Sequence, residues 1–174
     1  MNWIPKINWE SGKETGGVII GNWERKRGLN YYEFKKRRAR GKFYFIKFLG
    51  LRNTAKDKAH SYRLPGRVWI LAKSLKYILV GYEIIGIWHT HPGGKKFVSQ
   101  QDQDAIDGYV KNSEKNKEIA KLITNDEEMI NSFIGRNEKM VFGIVTETTM
   151  NMTYFVKKKN KKEKELEEDI TEEL

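Results

Sequence analysis

Ile84-Ile85-Gly86-Ile87-Trp88-His89-Thr90-His91-Pro92 is the stretch from which the rest of the chain is read. The apolar run predicts a buried strand over 83–91, and on a strand residues i and i+2 share a face. His89 and His91 therefore project together, Trp88 and Thr90 project to the other side as core and packing residues, and Pro92 stops the strand. The chain has three histidines in 174 residues, and two of them stand here. Asp102 follows and adds a carboxylate. Two imidazoles and a carboxylate make three protein ligands with a fourth position left for water, which is the pattern of a catalytic zinc rather than a closed structural one.

Ser99-Gln100-Gln101-Asp102, followed by Asp104-Ala105-Ile106-Asp107, reads as a helix start with Ser99 near the N-cap and an acid three residues on. Alone, that spacing describes a capping box, and a pair of surface imidazoles is the corresponding plain reading of the histidines. Their conjunction favours a site, because the loop over 93–98 can fold the helix start back over both histidines.

At these residues the chain resembles the JAMM (MPN+) metalloproteases. The run His89-x-His91-Pro92-x6-Ser99-x2-Asp102 carries that family's signature without a gap or substitution. The family also uses an upstream glutamate in a Glu-x-x-Gly-apolar-apolar-x-Gly setting, which Glu14-Thr15-Gly16-Gly17-Val18-Ile19-Ile20-Gly21 fits. The resemblance implies an α/β (α+β sandwich) fold of the MPN/JAB-like kind. In such a fold a mixed sheet would be flanked by helices, with one zinc ion at the end of a central strand and the start of the following helix. It implies that His89, His91 and Asp102 hold Zn²⁺, which suits imidazole nitrogen and carboxylate oxygen, with no cysteine to compete. It further implies Glu14 as the general base that takes a proton from water and passes it to the leaving amine. Ser99 would steady the oxyanion. Read without the resemblance, Glu14 is a solvated turn residue before a strand; Glu10 and Glu24 are its nearby rivals, and neither abuts the Gly-Gly start.

The implied activity is that of a zinc-dependent isopeptidase or peptidase. It would cut the amide bond after the C-terminal glycine of a ubiquitin-like protein, by deconjugation or precursor processing. Compact prokaryotic relatives do this in anti-phage conjugation systems or trim carrier proteins of sulfur-transfer pathways. A Gly-Gly tail is thin enough to enter a narrow groove as an added strand. The competing reading is a nucleic-acid-associated protein of the RadC branch, which shares the His-x-His-Pro…Ser-x-x-Asp spacing; the Glu14 setting favours the peptidase. Two departures stand out: only thirteen residues precede Glu14, where many members carry a helix, and residues 23–40 fall where members vary.

The chain's length suits one catalytic domain over 1–156 with a charged tail over 157–174, a frayed helix or disordered segment. No cysteine is present, so disulfides and thiolate chemistry are excluded. The first residues carry no apolar signal region and no stretch reaches the roughly 20 apolar residues of a membrane span, so the expected location is the cytoplasm, without membrane attachment. The net charge of +10 is uneven: residues 1–67 hold 17 Lys/Arg against five Asp/Glu. The excess is densest at Arg25-Lys26-Arg27 and Lys35-Lys36-Arg37-Arg38-Ala39-Arg40. The segment from Arg25 to Arg40 is either a solvated face or a docking surface for an acidic protein or, less favoured, nucleic acid.

Strands are predicted over 17–22, 31–34 and 42–49, the last with Phe43, Phe45 and Lys47 on one face and Tyr44, Ile46 and Phe48 on the other. Residues 50–63 read as an exposed loop in which His60 has no partner to make it a ligand. Residues 67–80 read as a helix packing through Trp69, Ile70, Ala72, Leu75, Ile78 and Leu79. Further helices are expected over 101–111 and 115–134, the second with Ile119, Leu122, Ile123, Met129, Ile130 and Phe133 on one face and a break at Asn125-Asp126. A hairpin over 139–146 and 152–158 closes the domain.

Overall fold

In the computed structural model, residues 4–24, 28–36, 39–94, 99–102, 104, 118–122, 124–127, 130 and 139–156 are described, with the backbone alone for 32–36, 39–41, 139, 151 and 153–156. All seven residues of the first strand, β1 (Gly16–Asn22), are buried. So are seven of the eight of β4 (Glu83–Thr90). A strand covered on both faces has no polar side to show, which is why both read as unbroken apolar runs. They pair antiparallel at the middle of a six-stranded sheet of order β2-β3-β1-β4-β5-β6. Here β2 is Asn30–Lys36, β3 Ala39–Leu51, β5 Lys139–Val145 and β6 Met150–Val156. The β4–β5 pair is parallel and the other four pairings are antiparallel. The sheet curls until its edge strands β2 and β6 approach each other. This is the mixed-sheet α/β architecture expected from the sequence.

Each face of the sheet carries its own apolar cluster. Val18, Ile20, Ile84, Ile87, Phe142 and Ile144 lie on one face, covered by helix α1 (Arg67–Ile78) and by Ala120 and Ile130. Ile19, Phe43, Phe45, Phe48, Ile85 and Trp88 lie on the other, inside the curl, with Ile4, Ile7 and Trp9 packed over them. No helix among the described residues is long and apolar enough to cross a membrane.

Two irregularities redirect side chains. Opposite Ile20 and Gly21, β3 offers Lys47 and then Phe45, leaving Ile46 as an extra residue. Opposite Ile19 and Ile20, β4 offers Gly86 and then Ile84, leaving Ile85 extra. Such bulges break strict alternation. Phe48 therefore returns to the face of Phe43 and Phe45, whereas simple period-2 reading puts it with Ile46 on the opposite one. The β2–β3 hairpin is also longer than expected. Lys35 pairs with Arg40 and Lys36 with Ala39, so part of the basic run continues the ladder instead of looping out.

Helix α1 forms where predicted but turns a different face inward. Ile70, Leu71, Ser74 and Ile78 are buried, and the Ser74 hydroxyl donates to the Ile70 carbonyl at 2.7 Å. Trp69 is 64% exposed and Leu79 and Ala72 also face outward, which corrects three of the six residues expected on the packing face. Trp69 and Ile70 are neighbours about 100° apart, so only one can sit at the centre of the stripe. Residues 118–121 are helical and 124–126 are not, so the second expected helix is interrupted near Asn125-Asp126. Ile130 packs inward, but Leu122 is 82% exposed and leaves the expected face. Ile123, Met129 and Phe133, Arg25-Lys26-Arg27, most of 101–111 and the tail 157–174 lie outside the described residues.

Candidate metal centre

The site grows out of the pairing of β1 with β4. Gly16 stands opposite His89 and Gly17 opposite Trp88. A Cβ on Gly16 would collide with the Trp88 carbonyl, and one on Gly17 with the Leu49 carbonyl of β3. The Gly-Gly start of β1 thus lets three backbones close up, and it puts Glu14, two residues before the strand, beside the end of β4. The Thr15 amide donates to the Thr90 hydroxyl at 2.9 Å, and the Thr90 amide to the Thr15 carbonyl at 2.7 Å. Thr90, on the far face from the histidines, therefore fastens the two strands together.

His89 and His91 do project together: their Nε2 atoms are 2.7 Å apart. The His89 ring is held between aromatic partners, stacked on Tyr62 (centroids 6.0 Å, 21°) and edge-on to Phe142 (5.2 Å, 68°). Asp102 approaches from the helix start, with Oδ1 3.2 Å from His89 Nε2 and Oδ2 3.6 Å from His91 Nε2. Glu14, His89 and His91 each offer a ligand atom within 4.8 Å of the others, close enough to share one metal ion. Two imidazoles and two carboxylates without a thiolate are a donor set suited to a borderline divalent cation such as Zn²⁺. The residues present therefore fit a metal.

Ser99 and Asp102 form a complete reciprocal cap. The Ser99 hydroxyl and amide donate to Asp102 Oδ2 at 2.7 and 2.8 Å, and the Asp102 amide donates back to Ser99 Oγ at 3.1 Å. The capping reading of this spacing is thus realised, on the same residues that face the histidines.

Burial pushes the Glu14 carboxyl up, opposed by His89 and reinforced by the negative charge of Asp102. Asp102 goes the other way. Burial alone would raise it, but the hydrogen bond and charge of His89, with the Ser99 hydroxyl and amide, hold it down at about 2. A depressed carboxylate contributes stability that is present above its unfolded value and lost on acidification. In metal-free protein, the stability difference between wild type and Asp102→Asn should therefore hold steady above the ordinary 3.8 and shrink as pH falls toward about 2. Denaturant melts across that window measure it; a difference that widened on acidification would contradict the assignment.

Three supporting residues carry no motif. Tyr62 and Phe142 clamp His89, as above; burial raises the Tyr62 hydroxyl, which donates to the Leu51 carbonyl at 3.3 Å. Asn53 ties the site to the loop after β3. Its Nδ2 donates to the Glu14 and Ser61 carbonyls at 2.9 Å each, while its Oδ1 accepts from the Ala55 and Arg63 amides at 2.9 and 3.1 Å. All four of its hydrogen-bonding positions are used. The Glu14 amide in turn donates to the Lys58 carbonyl at 2.7 Å. An Asn opening a polar loop is legible as a turn-former, but its reach back to Glu14 is not. His60, not expected as a metal ligand, pairs with a neighbour in its own loop: its Nδ1 lies 2.9 Å from Asp57 Oδ2, both exposed.

Loop 54–66, the start of α1, the end of β4 and residues 99–102 enclose an open cleft of about 1410 Å³, with Glu14, His89, His91 and Asp102 in its wall. A family model described as prokaryotic homologs of the JAB domain matches residues 7–134. No curated protein is similar enough to match.

Proposed function

The chain belongs to the prokaryotic homologs of the JAB domain, and on that footing we propose that it is a zinc-dependent isopeptidase or peptidase acting after the C-terminal glycine of a ubiquitin-like protein. The observation that carries this reading is the convergence of Glu14, His89, His91 and Asp102 in one wall of a cleft open to a polypeptide. His89, His91 and Asp102 hold the ion in this reading. A bound Zn²⁺ supplies Lewis acidity, polarising the amide carbonyl and lowering the pKa of water to about 7.

The remaining work falls to the chain's own groups. Glu14, buried and with a raised proton affinity, accepts the proton of the attacking water and delivers it to the departing amine. Asp102, whose carboxyl is held below the usual range, stays ionised and available as a ligand. Tyr62 and Phe142 fix the plane of the His89 ring. Ser99 keeps Asp102 oriented through its cap and turns its hydroxyl toward the carbonyl oxygen when substrate enters. The scissile amide lies in the cleft between loop 54–66 and residues 99–102.

Asp102→Asn removes the anionic ligand and keeps the shape. Zinc affinity should fall by at least the roughly 10–100-fold typical of losing an outer-shell partner, read by competition with a chromogenic chelator. Unchanged affinity would remove Asp102 from the ligand set. The substrate class is tested by recovering tagged Glu14→Gln from the native host and identifying what it holds. A small protein ending in glycine, free or joined to a lysine, supports the reading. Nucleic acid alone, released by salt, favours the RadC-like alternative suggested by the basic first third of the chain.

A further inference from the structure

The cleft beside the candidate metal centre is unevenly charged. Among the described residues its lining contains no carboxylate besides Glu14 and Asp102, which face the histidines, whereas Lys56, Arg63 and Arg67 all contribute to it. Lys56 and Arg63 are exposed and Arg67 is half-buried, and none of the three has an ion-pair partner among the described residues. The first turn of α1, which begins at Arg67, contains no acidic residue that could pair with them. Their placement is not left to long mobile loops. The Arg63 amide is held by Asn53 Oδ1, and its carbonyl accepts from the Thr54 amide and hydroxyl at 3.0 and 3.1 Å. The same Asn53 holds the Glu14 carbonyl. One side chain thus fixes the proposed base and the basic wall in register.

We propose that this wall selects the substrate: the polypeptide entering the cleft carries acidic side chains close to the scissile bond, and Arg63 and Arg67, assisted by Lys56, bind them. The proposal rests on the peptidase reading and narrows its substrate class to acidic peptide segments. Unpaired guanidinium groups suit carboxylates because their fork of donors matches two oxygens at once. Positive charge lining a cleft also concentrates anionic partners there, an effect that salt weakens.

The test uses the full zinc-loaded chain and short labelled peptides ending in Gly-Gly that differ only in carrying Glu, Gln or Lys upstream. Binding is read by fluorescence anisotropy with peptide amides, and cleavage by release of a C-terminal fluorophore. Two charge pairs at the cleft surface correspond to a preference for Glu over Gln of roughly fivefold to tenfold in binding at low salt, shrinking as salt is raised. Arg63→Glu with Arg67→Glu should reverse the order in favour of Lys peptides. Arg63→Lys with Arg67→Lys should keep the order, and it guards against a reversal variant that fails to fold.

Equal binding and cleavage of all three peptides overturns the proposal and leaves the peptidase reading standing. Preferential binding of Glu peptides with no cleavage of any supports the acidic docking wall and removes the peptidase reading. Duplex DNA bound in preference to every peptide overturns the proposal in favour of a nucleic-acid site.

Discussion

Glu14→Gln is expected to lower kcat of the zinc-loaded protein by roughly 10²–10⁴-fold, the usual worth of a positioned general base. The substitution keeps the size and the backbone hydrogen bonds of residue 14, to Lys58 and Asn53, and removes only the ability to hold a proton. If His89, His91 and Asp102 are the ligand set, zinc content measured by mass spectrometry stays at the wild-type level while turnover disappears. A parallel loss of zinc would place Glu14 among the ligands, an arrangement its closeness to both histidines permits. Full activity in Glu14→Gln would remove it from the chemistry.

The largest effect on stability is expected at Trp88. Its side chain is 1% exposed, packs against Phe48 with ring centroids 5.7 Å apart, and donates from Nε1 to the Leu49 carbonyl at 3.3 Å. Trp88→Ala leaves a cavity between β1, β3 and β5 and removes the hydrogen bond to the Leu49 carbonyl. It should cost about 3–5 kcal/mol, which for a chain of this length is a fall of roughly 6–20 °C in Tm. Trp88→Phe keeps most of the volume and loses only the hydrogen bond, so its cost should be clearly smaller. Scanning calorimetry of the two variants separates packing from the polar contact; equal losses would mean that the carbonyl at Leu49, not the volume, matters most.

The sequence could be read furthest where side-chain type and backbone period coincide. His89 and His91 needed only the two-residue repeat of a strand to be placed together, and the central strands announced themselves by having no polar face. Phe48 could not be placed that way, because the extra residue at Ile46 that changes its side comes from pairing with β1 and leaves no local mark. In α1 the choice between Trp69 and Leu71 was settled by what the sheet presents to the helix, not by the helix's own pattern. Asn53, Tyr62 and Phe142 were invisible for a related reason. Each acts on a residue far away in sequence, through a contact that no motif spells out. The upstream glutamate was legible only through the family resemblance, since a lone Glu before a strand is ordinary.

The Thr15–Thr90 bond joins residues 75 positions apart, and the parallel β4–β5 pair needs the whole crossover between those strands to be in place. Contacts of such sequence separation form slowly, because a long loop must be closed before any of them is rewarded. A chain emerging from synthesis or from denaturant therefore has the two histidines early but gains Glu14 beside them only when β1 and β4 have met. Metal capture during refolding should consequently coincide with the final cooperative step and serve as its clock, rather than seed the early collapse.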